Sequence, residues 1–280
     1  LMIVMMLMLF MVMVVMMLVL IVRGLMLPGA IGGLEFLFKF DPDAFTWSAL
    51  LQAMGFTFFS LCVGCGCMLT YGSYLDQNSN LVNGCLWITF LAVIASILGG
   101  LMIMPSVFAF GLDPSAGPGL TFITMPAVFA QLPFGQVFAV IFYLCIAVAA
   151  ITSSVSMIEI VVAFLVDEHK MKRAGAAMLS TLALAVVGAL PCLSFGKLSD
   201  VTFFGGKTIF DLFDFFTSNI SLPVGGLIIL WLAGVRCWPQ IRENITRNTS
   251  LSEGAVKFLR LMMIGFSPVL VLVVLVSGLV

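Results

Sequence analysis

The run FTFFSLCVGCGCMLTYGSY, Phe56 to Tyr74, decides the fold. It is apolar almost throughout, yet Gly64 and Gly66 sit at its centre among small residues. Glycine costs a helix about 1 kcal/mol relative to alanine. A helix interrupted at mid-membrane is tolerated only where the freed backbone groups face protein or a water-filled cavity, and such breaks can present carbonyls and half-helix ends to ions and solutes. The spacing therefore predicts two half-helices, with no continuous i→i−4 bonding from Phe59 to Gly66. A second reading stays open, in which Gly and Cys simply let helices pack closely.

Outward from this run, apolar stretches recur at 1–22, 44–72, 84–112, 134–166, 174–195, 208–234 and 258–280. Each can span a hydrocarbon layer of about 30 Å. Composition agrees: of 280 residues, 62% are hydrophobic and 9% charged, with a mean hydropathy of +1.24. Soluble proteins carry about 25% charge. The chain reads as all-α, a polytopic transmembrane helix bundle of seven spans, one of them broken, within a single domain over 1–280. A net charge of −1 offers no basic surface, so nucleic acid is excluded as a partner and membrane lipid is expected. Because Leu1 opens directly on an apolar run too long for a signal peptide, that run reads as a span and the chain as a fragment.

The segments Pro28 to Asp43 and Asp113 to Pro133 are rich in Gly and Pro and read as surface loops. Connectors Asp167 to Arg173 and Val235 to Leu259 hold most of the basic residues. Lys170, Lys172, Arg173, Arg236, Arg242, Arg247, Lys257 and Arg260 fall on one side, while Arg23, Lys39, Lys197 and Lys207 fall on the other. The first side is then cytoplasmic, together with the N-terminus of the chain.

Within the fourth stretch, AAITSSVSMIE places Thr152, Ser153, Ser154, Ser156 and Glu159 in an apolar helix. Thr152 and Ser156 share a face at i, i+4, and hydroxyls with nearby carbonyls suit a hard cation. Back-bonding to the helix's own carbonyls, or hydrogen bonding to another helix, is the alternative. Glu159 must be protonated or paired, since a charge at the bilayer centre costs about 2.5–3.5 kcal/mol or more. Asp211 and Asp214 stand near the outer end of the sixth stretch, where water reaches. Cys62, Cys65 and Cys67 form C-x-x-C-x-C, but neither His nor a further Cys cluster completes four ligands, so packing or pocket lining is the preferred reading.

These passages resemble the bacterial neurotransmitter:sodium symporters, which have the LeuT-type fold. The likeness lies in Phe58 to Leu75, Gly117 to Phe129, Ala149 to Glu168 and Phe210 to Gly234, in the family's order. It implies the fifth to eleventh helices of that fold, with the first four absent. By motif match, Phe59, Ser60, Cys62, Cys65, Ser153 and Met157 would face substrate. Ala149, Thr152, Ser153 and Ser60 would hold sodium, the implied cofactor ion. Asp214 resembles an outer-gate aspartate, with Asp211 as the alternative, and Gly117 to Pro133 resembles an extracellular lid. Two departures stand out: between Cys85 and Met104 only Thr89 and Ser96 are polar where the family usually has Asn, Asp or Glu, and Phe56 replaces a common Gln or His.

The resemblance implies sodium-coupled symport of an amino acid or related small molecule across the bacterial inner membrane. A bulky apolar amino acid is expected, because Cys65 stands where the family often has Phe or Met and leaves room, with Met157 as an adaptable wall. The missing N-terminal helices would complete the site. A non-transporting membrane sensor or auxiliary subunit is the competing expectation. No nucleophile with a neighbouring base is visible, so an enzyme is not expected.

Overall fold

Thr46 starts the first half of the broken span: its hydroxyl accepts the Ala49 N–H at 3.2 Å, giving the helix its N-cap. The computed structural model describes residues 2–42, 45–76, 78–114, 119–203, 206–249 and 251–279. Among them are helices α1 (Met2–Leu25), α2 (Ala30–Phe38), α3 (Trp47–Ser60), α4 (Cys67–Ser73), α5 (Leu81–Ala109), α6 (Met125–Ala130) and α7 (Gly135–Asp167). They continue as α8 (Arg173–Leu193), α9 (Ile209–Phe215), α10 (Leu222–Trp231), α11 (Trp238–Asn248), α12 (Glu253–Leu261) and α13 (Ser267–Leu279), with no strand among the described residues.

Five helical segments are long and apolar enough to cross a membrane: Leu81–Ala109, Gly135–Asp167, Arg173–Leu193, Ile209–Arg236 and Glu253–Gly278. The pair Phe10–Leu25 and Ala30–Phe38, bent by 115°, would make a sixth. The remaining expected span is the broken one, whose halves α3 and α4 are each too short alone. Leu86, Phe90, Val93 and Ile97 recur along one face of α5 and are all exposed, a stripe suited to hydrocarbon.

Connectors hold more helix than sequence suggests. The Gly- and Pro-rich segment after Pro28 contains α2, whose Phe36 ring lies 5.1 Å from that of Phe108 in α5. Apolar packing here outweighs glycine's low propensity. The charged connector after Val235 contains α11 and the start of α12, which bury Trp238, Ile245 and Val256 together.

Four π-helical turns, Leu120–Thr124, Phe216–Ser221, Leu232–Arg236 and Met262–Phe266, lie within these helices among the described residues. Three precede a proline by two residues: Pro126, Pro223 and Pro268. Proline has no N–H and its ring clashes with the carbonyl four residues back. The wide turn answers this by bonding five residues back, as Leu222 N–H does to the Thr217 carbonyl.

The chain forms two compact units, Leu1–Pro42 with Phe90–Val155, and Asp43–Thr89 with Ser156–Val280. In the first, Phe142, Met125, Val107 and Val128 are fully buried, and Phe129 packs on Phe142 at 5.3 Å between ring centres. In the second, α10 packs on α13 and both meet α3, burying Leu222, Pro223, Val271 and Val274.

Candidate functional site

The break in the second unit begins where α3 ends. Cys62 N–H donates to the Phe59 carbonyl at 3.0 Å, and Val63 N–H to that of Phe58 at 2.9 Å. These two bonds are a Schellman ending, which needs a left-handed residue at the position Cys62 occupies, with φ 51°. A cysteine thus stands where glycine is usual. Gly64 and Gly66 follow with φ of 94° and 89°, and α4 starts at Cys67. The predicted interruption is present, although Phe59 and Ser60 belong to the last turn of α3.

Close approach fixes this bend against α10. A Cβ on Gly64 would overlap the Leu222 carbonyl oxygen and lie 3.0 Å from Gly226 N. At Gly64 the close-packing reading therefore holds as well as the break, whereas a Cβ on Gly66 would make ordinary contact with Ile160 at 3.7 Å.

Beside α3, a cavity of about 590 Å³ is lined by Gln52, Phe56, Phe59, Asp214, Asn219 and Ser277, among others. Asp214 accepts the Ser218 hydroxyl at 3.2 Å. Asp211 instead closes a capping box at the start of α9, accepting Thr208 N–H at 2.9 Å and the Thr208 hydroxyl at 2.8 Å. Of the two carboxylates offered as an outer gate, Asp214 faces the cavity and Asp211 serves the helix end.

Cys62, Cys65 and Cys67 are brought together, with Cys65 Sγ donating to the Cys62 carbonyl at 3.1 Å. Cys67 is buried, and its thiol lies 3.8 Å from both the Ser156 carbonyl and Met157 Sδ. Tyr71 donates to Ser156 Oγ at 2.9 Å. Glu159 is paired rather than isolated: Tyr74 OH donates to it at 2.6 Å and Arg173 meets it at 2.6 Å. Sequence reading misses these tyrosine contacts, although Tyr71 and Tyr74 share a face at i, i+3.

Ala149, Thr152 and Ser153 belong to the first unit, where the Thr152 hydroxyl donates to the Ala149 carbonyl at 2.9 Å. This is the back-bond to the helix's own carbonyl that stood as the alternative reading, and it sets two of the expected sodium oxygens side by side. Thr89 and Ser96 in α5 each bond to a carbonyl four residues back, at 2.9 and 3.0 Å. Of the lid-like segment, Gly117 and Pro118 lie outside the described residues, and the remainder forms a π turn and α6.

A family model described as "Sodium:neurotransmitter symporter family" matches residues 2–280. The chain belongs to this family. It is thus a multi-pass membrane protein of a sodium symporter family, not an enzyme family. An uncharacterized sodium-dependent transporter, YhdH, of Bacillus subtilis (strain 168) is 42% identical over 209 residues, 75% of this chain and 46% of that protein. The sodium- and chloride-dependent GABA transporter 2 of Homo sapiens is 28% identical over 230 residues, covering 76% of this chain and 35% of that one. Among solved structures, MhsT in complex with L-phenylalanine matches with a TM-score of 0.84 at 33% identity, covering 97% of this chain and 61% of that chain. This symporter-family chain spans just under half the length of the bacterial relative.

Proposed function

We propose that the whole protein couples inward sodium flow to the uptake of an amino acid by alternating access, in a bacterial cytoplasmic membrane with the N-terminus of this chain inside. The observation that carries this reading is the interrupted helix between α3 and α4, held open by left-handed backbone and a close approach to α10. Membership of the family supports sodium coupling. Residues 1–280 are taken as part of one transmembrane domain completed by helices outside this chain.

Phe59, Ser60, Cys62, Cys65, Ser153 and Met157 are assigned to substrate, and Ala149, Thr152, Ser153 and Ser60 to sodium. Asp214 is assigned to the outer gate. Hard oxygen donors at Ala149 and Thr152 suit a hard cation, and that chemistry supports the assignment. An apolar amino acid is the preferred substrate class, in line with the L-phenylalanine named for the MhsT complex and with Met157 as an adaptable wall.

A sensor or auxiliary subunit is the second reading, favoured by one observation: the Thr89 and Ser96 hydroxyls of α5 are turned onto their own helix. Reconstituting the whole protein in vesicles under an inward sodium gradient separates the two. Sodium-dependent accumulation of labelled leucine or phenylalanine supports transport. Sodium-dependent binding with no accumulation of any amino acid overturns it in favour of the sensor.

A further inference from the structure

We infer that Cys62, Cys65 and Cys67, with the thioether of Met157, form a binding site for a thiophilic d10 cation, Cu(I) above all. The three cysteine sulfur atoms lie within 4.8 Å of one another. Such convergence is not a property of the spacing alone. In an unbroken helix Cys62 and Cys65 would be about 60° apart, but Cys67 would point about 140° away from Cys62. The left-handed turns at Cys62, Gly64 and Gly66 bring it back. Met157, from α7, then adds a fourth sulfur 3.8 Å from Cys67 Sγ.

Sulfur-only donor sets select soft cations. Thiolate and thioether ligands favour Cu(I), whereas sodium takes hard oxygen, so this cluster is chemically distinct from the Ala149 and Thr152 oxygens. Zinc is disfavoured because a closed zinc site needs four N, S or O ligands at bonding distance, and a thioether is a poor one for it. Binding exchanges the S–H protons of the ligating thiols for the metal, and those protons pass to water. No oxidant or reductant is consumed. Cys62 and Cys65 are half-buried and Cys67 is buried, which leaves an approach for the ion from the Cys62 and Cys65 side.

The site shares Cys62, Cys65 and Met157 with the substrate assignment, yet metal binding is read without transport, so each reading can fail alone. The test titrates the purified whole protein, without oxygen, with Cu(I) held by a coloured bicinchoninate complex. The unaltered protein should withdraw one more equivalent than Cys67→Ser. Cys65→Ser, at a half-buried position where packing is less at stake, should lose the same equivalent. The combined variant C85S, C192S, C237S removes three exposed thiols and should retain it. Met157→Leu should keep the equivalent but bind about tenfold more weakly, as loss of a supporting partner does in metal sites. Equal withdrawal by unaltered protein and Cys65→Ser overturns the site, as does loss of the equivalent in the variant lacking the three exposed thiols.

Discussion

Gly64 and Gly225 meet backbone to backbone: a Cβ on Gly225 would overlap the carbonyl oxygen of Gly64, while one on Gly64 would overlap that of Leu222. The bend in the broken span and the path of α10 therefore depend on each other. Neither can gain a methyl group without one of them moving.

Gly64→Ala and Gly225→Ala should each destabilise the whole protein by about 1–3 kcal/mol or more, the range for overpacking, with Gly64→Ala adding the strain of its left-handed φ. Gly72→Ala should be neutral or slightly stabilising, because nothing lies within 4 Å of the point its methyl group would occupy. Thermal unfolding in detergent measures all three. Equal melting temperatures for Gly64→Ala and Gly72→Ala would remove the close approach as a constraint.

Thr152→Val and Ser153→Ala should weaken sodium affinity in the whole protein. Loss of one donor to a charged group is worth roughly 1.5–3 kcal/mol, tenfold or more in affinity. A sodium titration decides. If both variants keep the unaltered sodium dependence, the Thr152 and Ser153 hydroxyls serve packing rather than an ion.

Asp211 and Asp214 should separate cleanly. Asp211→Ala removes a capping partner and should lower stability by about 0.5–2 kcal/mol while leaving substrate affinity near normal. Asp214→Asn should change substrate affinity with little loss of stability. The reverse pattern, read by unfolding and by binding, would return the gate to Asp211.

Tyr74 and Glu159 should be coupled. Arg173 is 64% exposed at its side chain and Glu159 only 16%, so the ion pair itself contributes little, and the Tyr74 hydroxyl is a second partner of the same carboxylate oxygen. A double-mutant cycle with Tyr74→Phe and Glu159→Gln should show a coupling of about 0.5–3 kcal/mol. Additive losses would mean that the 2.6 Å contact carries no stability.

Cys65→Phe should shift preference from bulky apolar amino acids toward smaller ones, because filling the space forfeits about 0.8 kcal/mol for each CH₂ no longer accommodated. Competition binding with leucine, phenylalanine, alanine and glycine is the measure. An unchanged order would place Cys65 outside the substrate wall.

The break is legible in sequence because Gly64 and Gly66 act locally, and the long spans because hydropathy is a property of a window. Other features lie beyond a local reading. Tyr74 and Glu159 are 85 residues apart, and Cys67 and Met157 are 90 apart, so no spacing announces either contact. Helix α2 reads as a loop because its glycines outweigh, in sequence, the packing of Phe36 on Phe108 that holds it. Asp211 and Asp214 look alike in sequence, and only the bonds from Thr208 to one of them tell them apart.

The wide turn at Phe216–Ser221 sets a phase. One residue of an α-helix is worth about 100° of rotation, so a single slipped bond in the ladder offsets everything before it from everything after it. Asp214 lies before the slip, and the α10 face that seats on α13 lies after it. Excising one residue from this turn to restore a regular ladder would leave α10 seated and swing the Asp214 carboxylate about a quarter-turn off the cavity. Pro223, fully buried and with no polar atom in its side chain, thereby helps to aim a carboxylate more than two helical turns away.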